Sequence, residues 1–447
     1  MTRVVVIGGG SAGTGAATMA IQTDRSLDVT LITEFEDIAY SPCGIPYAFA
    51  REVESFDKLF LQGKDFYAEM GIKLKTETFV ERIDNAKQVV HTKGGEEYPF
   101  DKLIICTGWE YEVPNVPNVD LDGVLFIKNI RRAMEIDKRL DSVKKAVVWQ
   151  SKPLGVELID ALPVRGIETH LVDSGPWLMS DFTDPDVVKP LQDHLAEKYG
   201  VKYHFGTELR GFKGKDGHLV AVQTDKGDIE SDVAFLVAAM KPATKLAQSI
   251  GVKTGSTGAL VVDNHMRTNV PNVFAAGACI ETMQGLMNIP VNLIPGTYAY
   301  TQGRLAGINA AGGDEAYRPV YVPWGIGAKV QVGGVLVSET MAKAMGMPYI
   351  VGTAQGITAA RYHPAHEKMY AKILVDPTNH RVIGAQFAGG DGVKERADFL
   401  AFAIRKGTVV EELATMENVY SPAIGALNEP IALAARNALA KLKQMKQ

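Results

Sequence analysis

Short runs that are apolar throughout, each closed by glycines, recur along this chain. Val4–Ile7 is one, followed by Gly8-Gly9-Gly10-Ser11-Ala12-Gly13 and then by small residues through Thr14–Ala20. A run without polar alternation predicts a strand buried on both faces, and the small residues after it predict a tightly packed helix. Val29–Thr33 predicts the next strand. A second strand–turn–helix–strand unit is predicted at Ala146–Trp149, Pro153–Leu162 and Thr169–Asp173. Two such units so far apart imply two doubly wound α/β domains. Lys102–Gly108 and Val270–Gly277 read as further strands running into glycine turns, with a Pro/Asn-rich linker at Pro114–Pro117. From about Val322 the pattern changes. Amphipathic strands at Tyr370–Val375 and Arg381–Phe387 precede helices at Val393–Lys406 and Val409–Met416, an α+β tail with no glycine-rich turn of its own. The lysine-rich end, Lys441–Gln447, reads as a frayed helix terminus.

Composition narrows the function classes. At 447 residues the chain has room for about three domains. Its 46% hydrophobic and 22% charged content suits a globular protein, and a formal net charge of −5 gives no electrostatic case for nucleic acid or an anionic membrane. The opening residues read as a strand and turn rather than a signal peptide, and no run approaches the ~18 apolar residues of a membrane span. Three cysteines imply no disulfide framework, so a reducing compartment, the cytoplasm, is expected.

The chemistry starts at Gly8-x-Gly10-x-x-Gly13. Gly8 permits a tight turn, Gly10 lets backbone N–H groups approach a pyrophosphate, and Gly13 lets the helix pack on the strand. Glu34, 21 residues beyond Gly13, is placed to hydrogen-bond a ribose hydroxyl. Dinucleotide binding on a Rossmann-like fold is the reading; a merely tight turn does not explain Glu34. Cys43 follows in Ser41-Pro-Cys-Gly-Ile-Pro-Tyr47, without a Cys-x-x-Cys or Cys-x4-Cys partner. A lone thiol cycles through a mixed disulfide with an outside thiol or through a sulfenate. A helix starting there would lower its pKa. Cys106 lies in an apolar strand and reads as core; Cys279 reads as core or cofactor-adjacent packing.

Together the first glycine turn, Ser-Pro-Cys-Gly-Ile-Pro-Tyr, Thr107-Gly108, Ala276-Gly277 and the tail resemble the single-cysteine pyridine nucleotide–disulfide oxidoreductases, in the branch of coenzyme A disulfide reductases and NADH oxidases and peroxidases. The resemblance spans essentially the whole chain. It implies FAD in a discontinuous first domain (1–113 and 250–321), a nicotinamide domain at 114–249, and a C-terminal interface domain at 322–447 forming a homodimer. FAD contacts are then implied at Gly8, Gly10, Ser11, Ala12, Gly13, Glu34, Thr107, Gly108, Gly277 and Ala278. The family's partner-subunit tyrosines match Arg361-Tyr-His-Pro364 and Val419-Tyr-Ser-Pro422, so Tyr362 and Tyr420 join Cys43 as expected catalytic residues, with His363 a candidate proton donor. Either tyrosine also suits an interface core.

Three departures qualify this. The second glycine turn reads Gln150-Ser151-Lys152-Pro153-Leu154-Gly155, keeping one glycine, and side chains at Gln150 and Lys152 would fill the space of a pyrophosphate. Pro163 is expected to truncate or kink the following helix. Ala238-Ala239-Met240-Lys241-Pro242 replaces a Thr-Gly turn, with Met240 placed to fill that space. Ala278 stands where relatives carry an Asp that holds the flavin's ribityl chain. Asp173 is retained for a ribose. The balance argues against ordinary tight NAD(P)H binding, with Lys152 reaching a phosphate directly as the open alternative. Coenzyme A is a less specific expectation, because Gln22 stands near the place of a phosphate-binding arginine, with Arg25 close by.

The expected function is FAD-dependent reduction of a small, coenzyme A-type disulfide or persulfide through Cys43. One alternative is an NADH oxidase or peroxidase cycling a Cys43 sulfenate, against which Ser11 stands where those enzymes carry histidine. Another is a flavin relay subunit receiving electrons from a protein donor.

Overall fold

The structure, a computed structural model, describes residues 1–445 apart from Lys128 and Ala238. Ala238 of the altered 238–242 segment and Lys446 and Gln447 of the expected frayed end therefore lie outside the described residues. The fold is α/β, with two doubly wound parallel sheets and a C-terminal α+β unit.

The first sheet is built from β1 (Arg3–Ile7), α1 (Ser11–Thr23), β2 (Asp28–Ile32), the short α2 (Ile45–Phe49), β3 (Lys73–Lys75) and β4 (Lys102–Ile105). Val4 and Val6 are fully buried, as an all-apolar strand between two helical layers must be. In register, Ile7 lies opposite both Ile32 and Ile105. The strand ends therefore align Gly8, Thr33 and Cys106 along one edge. The chain leaves β1 toward β2 on one side while β4 lies on the other, which makes Gly8 the switch point of the sheet.

The second sheet uses β5 (Val124–Leu125), β6 (Lys145–Trp149), α3 (Pro153–Val164), β7 (Glu168–Asp173), α4 (Pro185–Tyr199), β8 (Lys202–Phe205) and β9 (Val233–Leu236), in the parallel order β8-β7-β6-β9-β5. Pro163 does not cut α3 short: it sits in the last turn, where the helix is already ending at Val164. A proline there forfeits one hydrogen bond instead of breaking a central ladder.

The chain then returns to the first sheet. β10 (Val273–Ala275) joins β4, with Ala275 opposite Ile105, and α5 (Gly296–Ala310) packs along α1. A Cβ at Gly303 or Gly307 would stand 2.0 or 2.2 Å from the carbonyl oxygens of Ala12 and Ala16, so glycine sets how closely the helices approach.

The C-terminal unit is an antiparallel sheet, β11 (Pro323–Ile326), β12 (Gln331–Leu336), β13 (Ile350–Ile357), β14 (Lys368–Val375) and β15 (Val382–Gly389), in the order β11-β12-β15-β14-β13. The helices Val393–Arg405, Val410–Ala414 and Pro430–Met445 pack with it. It meets the second sheet through apolar residues Ile326, Val332 and Ala388 and through a buried ion cluster. Lys372 on β14 is 3% exposed and contacts Asp184 at 3.1 Å, Asp186 at 2.9 Å and Glu339 at 2.8 Å. Burial disfavours its charge, but the hydrogen bonds to Glu339 and Asp186 and the charge of Asp184 outweigh this and hold its pKa above the ordinary value. Asp184 also accepts from the backbone N–H groups of Glu339 and Thr340 and from the Thr340 hydroxyl.

Lys372→Met is expected to lower stability by about 3–5 kcal/mol, since Asp184, 1% exposed, stays buried without its cation. A thermal midpoint unchanged at neutral pH would show that it is solvated some other way. Burial raises the Glu339 pKa, yet hydrogen bonds from Lys372 and Lys343 overcome it and pull the group from 4.5 to about 2. Its stabilising share is therefore complete above pH 4.5 and is lost as pH falls toward 2.

Candidate active site

The first glycine turn is shaped to receive a pyrophosphate. A Cβ at Gly13 would stand 1.7 Å from the Gly8 carbonyl oxygen, so α1 starts as close to the turn as backbone allows. Gly8 itself has φ +115 and backs onto the Cys106 carbonyl. Beside Gly10 there is nothing within 4 Å, and no side chain caps α1. The helix N-terminus thus opens onto space, as an anion requires. Glu34 is exposed at the end of β2, and no described residue bonds its carboxylate. Gly277, with φ +86, follows β10 on the same edge; its N–H donates to the buried Gln302 side chain at 3.0 Å. Ser11 opens α1, and Ala12 and Ala278 are buried, the Ala278 carbonyl accepting from Asn292 at 2.9 Å. These features fit FAD, with Ala278 offering packing where a carboxylate would offer a hydrogen bond.

Thr107 and Gly108 do a further job. The Thr107 hydroxyl donates to the Ala243 carbonyl at 2.6 Å, and the Ala243 N–H donates to Gly108 at 3.0 Å. They clamp the point where the chain leaves the first sheet to the point where it returns. Just beyond, Met240–Pro242 pairs antiparallel with Trp109–Tyr111, and Met240 lies opposite Tyr111 in this ribbon.

Cys43 sits on a 3-10 turn, Pro42–Gly44, that leads into α2. It is exposed, whereas Cys106 and Cys279 are buried. Ile45, Ala48 and Phe49 of α2 join the core of the second sheet, which seats the Cys43 turn beside α3. The expected drop in thiol pKa is not what this setting produces. Partial burial raises it, the Glu157 carboxylate on α3 adds to the rise, and the Cys43 backbone N–H works the other way. A helix of five residues offers too little aligned dipole to reverse this.

Glu157 was not singled out from the sequence. Burial pushes it up to about 7, and Asp160, one turn on, to about 6. Both line a small cavity between α2 and α3 together with Glu52 and Tyr47. Burial, then Glu157, raises the Tyr47 pKa to about 12, and its hydroxyl donates to the Gly327 carbonyl at 3.0 Å. The signal for Glu157 was its place within the apolar run Leu154–Leu162, where an acid must face something unusual.

Tyr362 and Tyr420 do meet. Their hydroxyls are 3.2 Å apart, on loops joined by the bond from the Ala360 N–H to the Pro422 carbonyl. Tyr362 is 76% exposed and Tyr420 50%, beside exposed Val419, Ile424 and Leu427. The hydrogen bond between the two hydroxyls raises the Tyr362 pKa. His363 accepts from the Ala365 N–H through Nδ1.

The second turn keeps the outline of the first. Gln150 holds φ +74, and a Cβ at Gly155 would stand 2.1 Å from the Gln150 carbonyl oxygen. The side chains at 150 and 152 line a cavity of about 160 Å³ in front of the turn. Asp173, expected to meet a ribose, is already engaged: Ser151 N–H and Oγ donate to one oxygen at 2.6 Å and the Gly175 N–H to the other at 2.7 Å.

Among the described residues no group of histidines, cysteines and carboxylates could hold a metal ion, and no helix is long and apolar enough to cross a membrane.

Comparison with known proteins gives this geometry its context. The pyridine nucleotide-disulphide oxidoreductase family matches residues 2–295, and that family's dimerisation domain matches residues 322–429. An NADH oxidase of Methanocaldococcus jannaschii is 32% identical, over 98% of this chain and 99% of that protein. An NAD(P)H coenzyme A polysulfide/persulfide reductase of Pyrococcus horikoshii is 27% identical, over 97% of this chain and 98% of that protein. A solved NAD-dependent persulfide reductase from A. fulgidus superposes with a TM-score of 0.95 at 27% identity, covering 99% of this chain and 84% of that one. These relatives, named for NADH, NAD(P)H or NAD, lend no support to the expectation from residues 150–155 and 238–242 that tight NAD(P)H binding is lost.

Glu157→Gln is expected to lower the Cys43 pKa by removing a like charge, and to speed alkylation at neutral pH by about 3- to 10-fold. Because Glu157 itself ionises near 7, the gain should shrink below that pH, where the wild-type acid is already neutral. Matching pH profiles of alkylation in the two proteins would remove Glu157 from the thiol's surroundings.

Proposed function

The chain belongs to the pyridine nucleotide-disulphide oxidoreductase family, and on that premise we propose that it reduces a small, coenzyme A-type disulfide or persulfide through a mixed disulfide at Cys43. The observation that carries this is one exposed thiol with both other cysteines buried. With no second thiol of its own at the surface, Cys43 takes its sulfur partner from the substrate.

The functional units in this reading are 1–113 with 250–321 for FAD, 114–249 for a nicotinamide nucleotide, and 322–447 for pairing with a second copy. FAD is held by the glycine turn, Ser11, Ala12, Glu34, Thr107, Gly108, Gly277 and Ala278. When bound, it supplies two-electron transfer between NAD(P)H and sulfur.

The chain's own work is at the thiol. Cys43 thiolate attacks one sulfur of the substrate R–S–S–R′; that bond breaks, Cys43–S–S–R forms and R′–S⁻ leaves. Two electrons originating from NAD(P)H then cleave the mixed disulfide, restoring the Cys43 thiolate and releasing R–S⁻, which takes one proton. Tyr420 and Tyr362 of a second copy, joined through their hydroxyls, supply that proton and regain one from water. The exposed apolar residues around the pair are buried in this homodimer. An oxidase reading, with a Cys43 sulfenate and oxygen as acceptor, is favoured by the name of the Methanocaldococcus jannaschii relative.

Cys43→Ser should abolish NAD(P)H-dependent reduction of coenzyme A disulfide while FAD stays bound, and mass spectrometry of the isolated wild-type protein should find a thiol adduct on Cys43. Disulfide reduction surviving in the variant would defeat the mechanism. Oxygen consumption with NADH that exceeds disulfide reduction would select the oxidase instead.

A further inference from the structure

The cavity in front of the second turn is lined by Gln150, Ser151, Lys152, Asp173, Ser180 and Asp181 among others. Lys152 is the cation of this lining, and it occupies the position whose backbone would otherwise face a pyrophosphate. Its ammonium is paired with Asp181 across the cavity. The loop that carries Asp181 is fixed by bonds that start at the turn. The Ser151 hydroxyl donates to Asp173 at 2.6 Å and accepts from the Met179 N–H at 2.8 Å, while Asp173 also receives the Gly175 N–H. The loop 174–181 is thereby tied down with Asp181 toward Lys152. A second observation points to a ligand. The Gln150 Oε1 atom is buried and has no hydrogen-bond partner among the described residues. A buried acceptor of this kind calls for a donor from outside the chain.

We propose that Lys152 is the phosphate-binding group of this cavity and that Asp181 is a displaceable counter-charge, so that a dinucleotide enters by taking Lys152 from Asp181. The inference rests on the reading that NAD(P)H is the reductant, and adds which residues set its affinity. The exchange is cheap in the direction required. Lys152 and Asp181 are 38% and 65% exposed, and a pair so open to water is weakly held. A pyrophosphate offers two charges and several acceptor oxygens to the same ammonium. Asp173 keeps its structural bonds to Ser151 and Gly175 throughout.

The test is calorimetric titration of the FAD-loaded protein with NAD+, which binds without reducing it. Lys152→Gln should weaken NAD+ binding by about 10-fold. Asp181→Asn should tighten it by about 3-fold, and that gain should vanish in the double variant. Thermal midpoints equal to wild type would show that the variants are folded; should Lys152→Gln fail this, Lys152→Arg, which keeps the charge, must retain binding. Lys152→Gln binding NAD+ like wild type, Asp181→Asn binding it more weakly, or wild type binding none would each overturn the proposal. Chemically reduced protein separates this from the Cys43 mechanism. If it still cleaves a Cys43 mixed disulfide while NAD+ fails to bind, the cavity assignment falls alone; if NAD+ behaves as described and the disulfide is not cleaved, the mechanism falls alone.

Discussion

Helix backbone pressed against a turn carbonyl is the constraint from which both doubly wound sheets follow. In each, the third glycine position leaves no room for a Cβ: the distance would be 1.7 Å at Gly13 and 2.1 Å at Gly155. That approach fixes where α1 and α3 start, and with them the strand ends at which ligands are received. The second turn lost its first two glycines yet kept this contact, so its outline persisted. Gln150 adopts the positive φ that glycine would take freely, and a clasp of Ser151 on Asp173 closes what backbone alone closes in the first turn.

The two turns therefore arrive at opposite electrostatic arrangements from one topology. At the first, the acid at the end of β2, Glu34, is exposed and free, and the helix N-terminus is open. At the second, the corresponding acid is consumed by the protein and a lysine stands in its place at the mouth. Cys43 belongs to neither turn. It is seated by α2, whose apolar face is part of the second sheet's core, and so its thiol is sensitive to acids on α3 that the first sheet does not contain.

Much of this was legible in the chain. The apolar runs at Val4–Ile7, Leu103–Ile105 and Ala146–Trp149 could be read as buried strands because every position is apolar, and the glycine turns marked their ends. What could not be read was pairing over long distances. Lys372 looks like one alternating strand residue until three carboxylates from 184, 186 and 339 meet it, and Ser151 looks like a lost glycine until its hydroxyl is seen bonding Asp173. Glu157 was hidden because helical periodicity says which face an acid occupies but not that α2 will cover it. The Tyr362 and Tyr420 segments were found by resemblance, and their hydroxyl contact needed a loop-to-loop bond no local pattern encodes.

The knot at Lys372 has a mechanical consequence. The second sheet is joined to the rest of the chain by the clamped crossover of Thr107, Gly108 and Ala243, by the buried ammonium shared with Asp184, Asp186 and Glu339, and by apolar residues of α2 and of the C-terminal unit that enter its core. Any displacement of that sheet against its neighbours would therefore have to pull a charge out of its cage and strip apolar surface of its cover in the same movement.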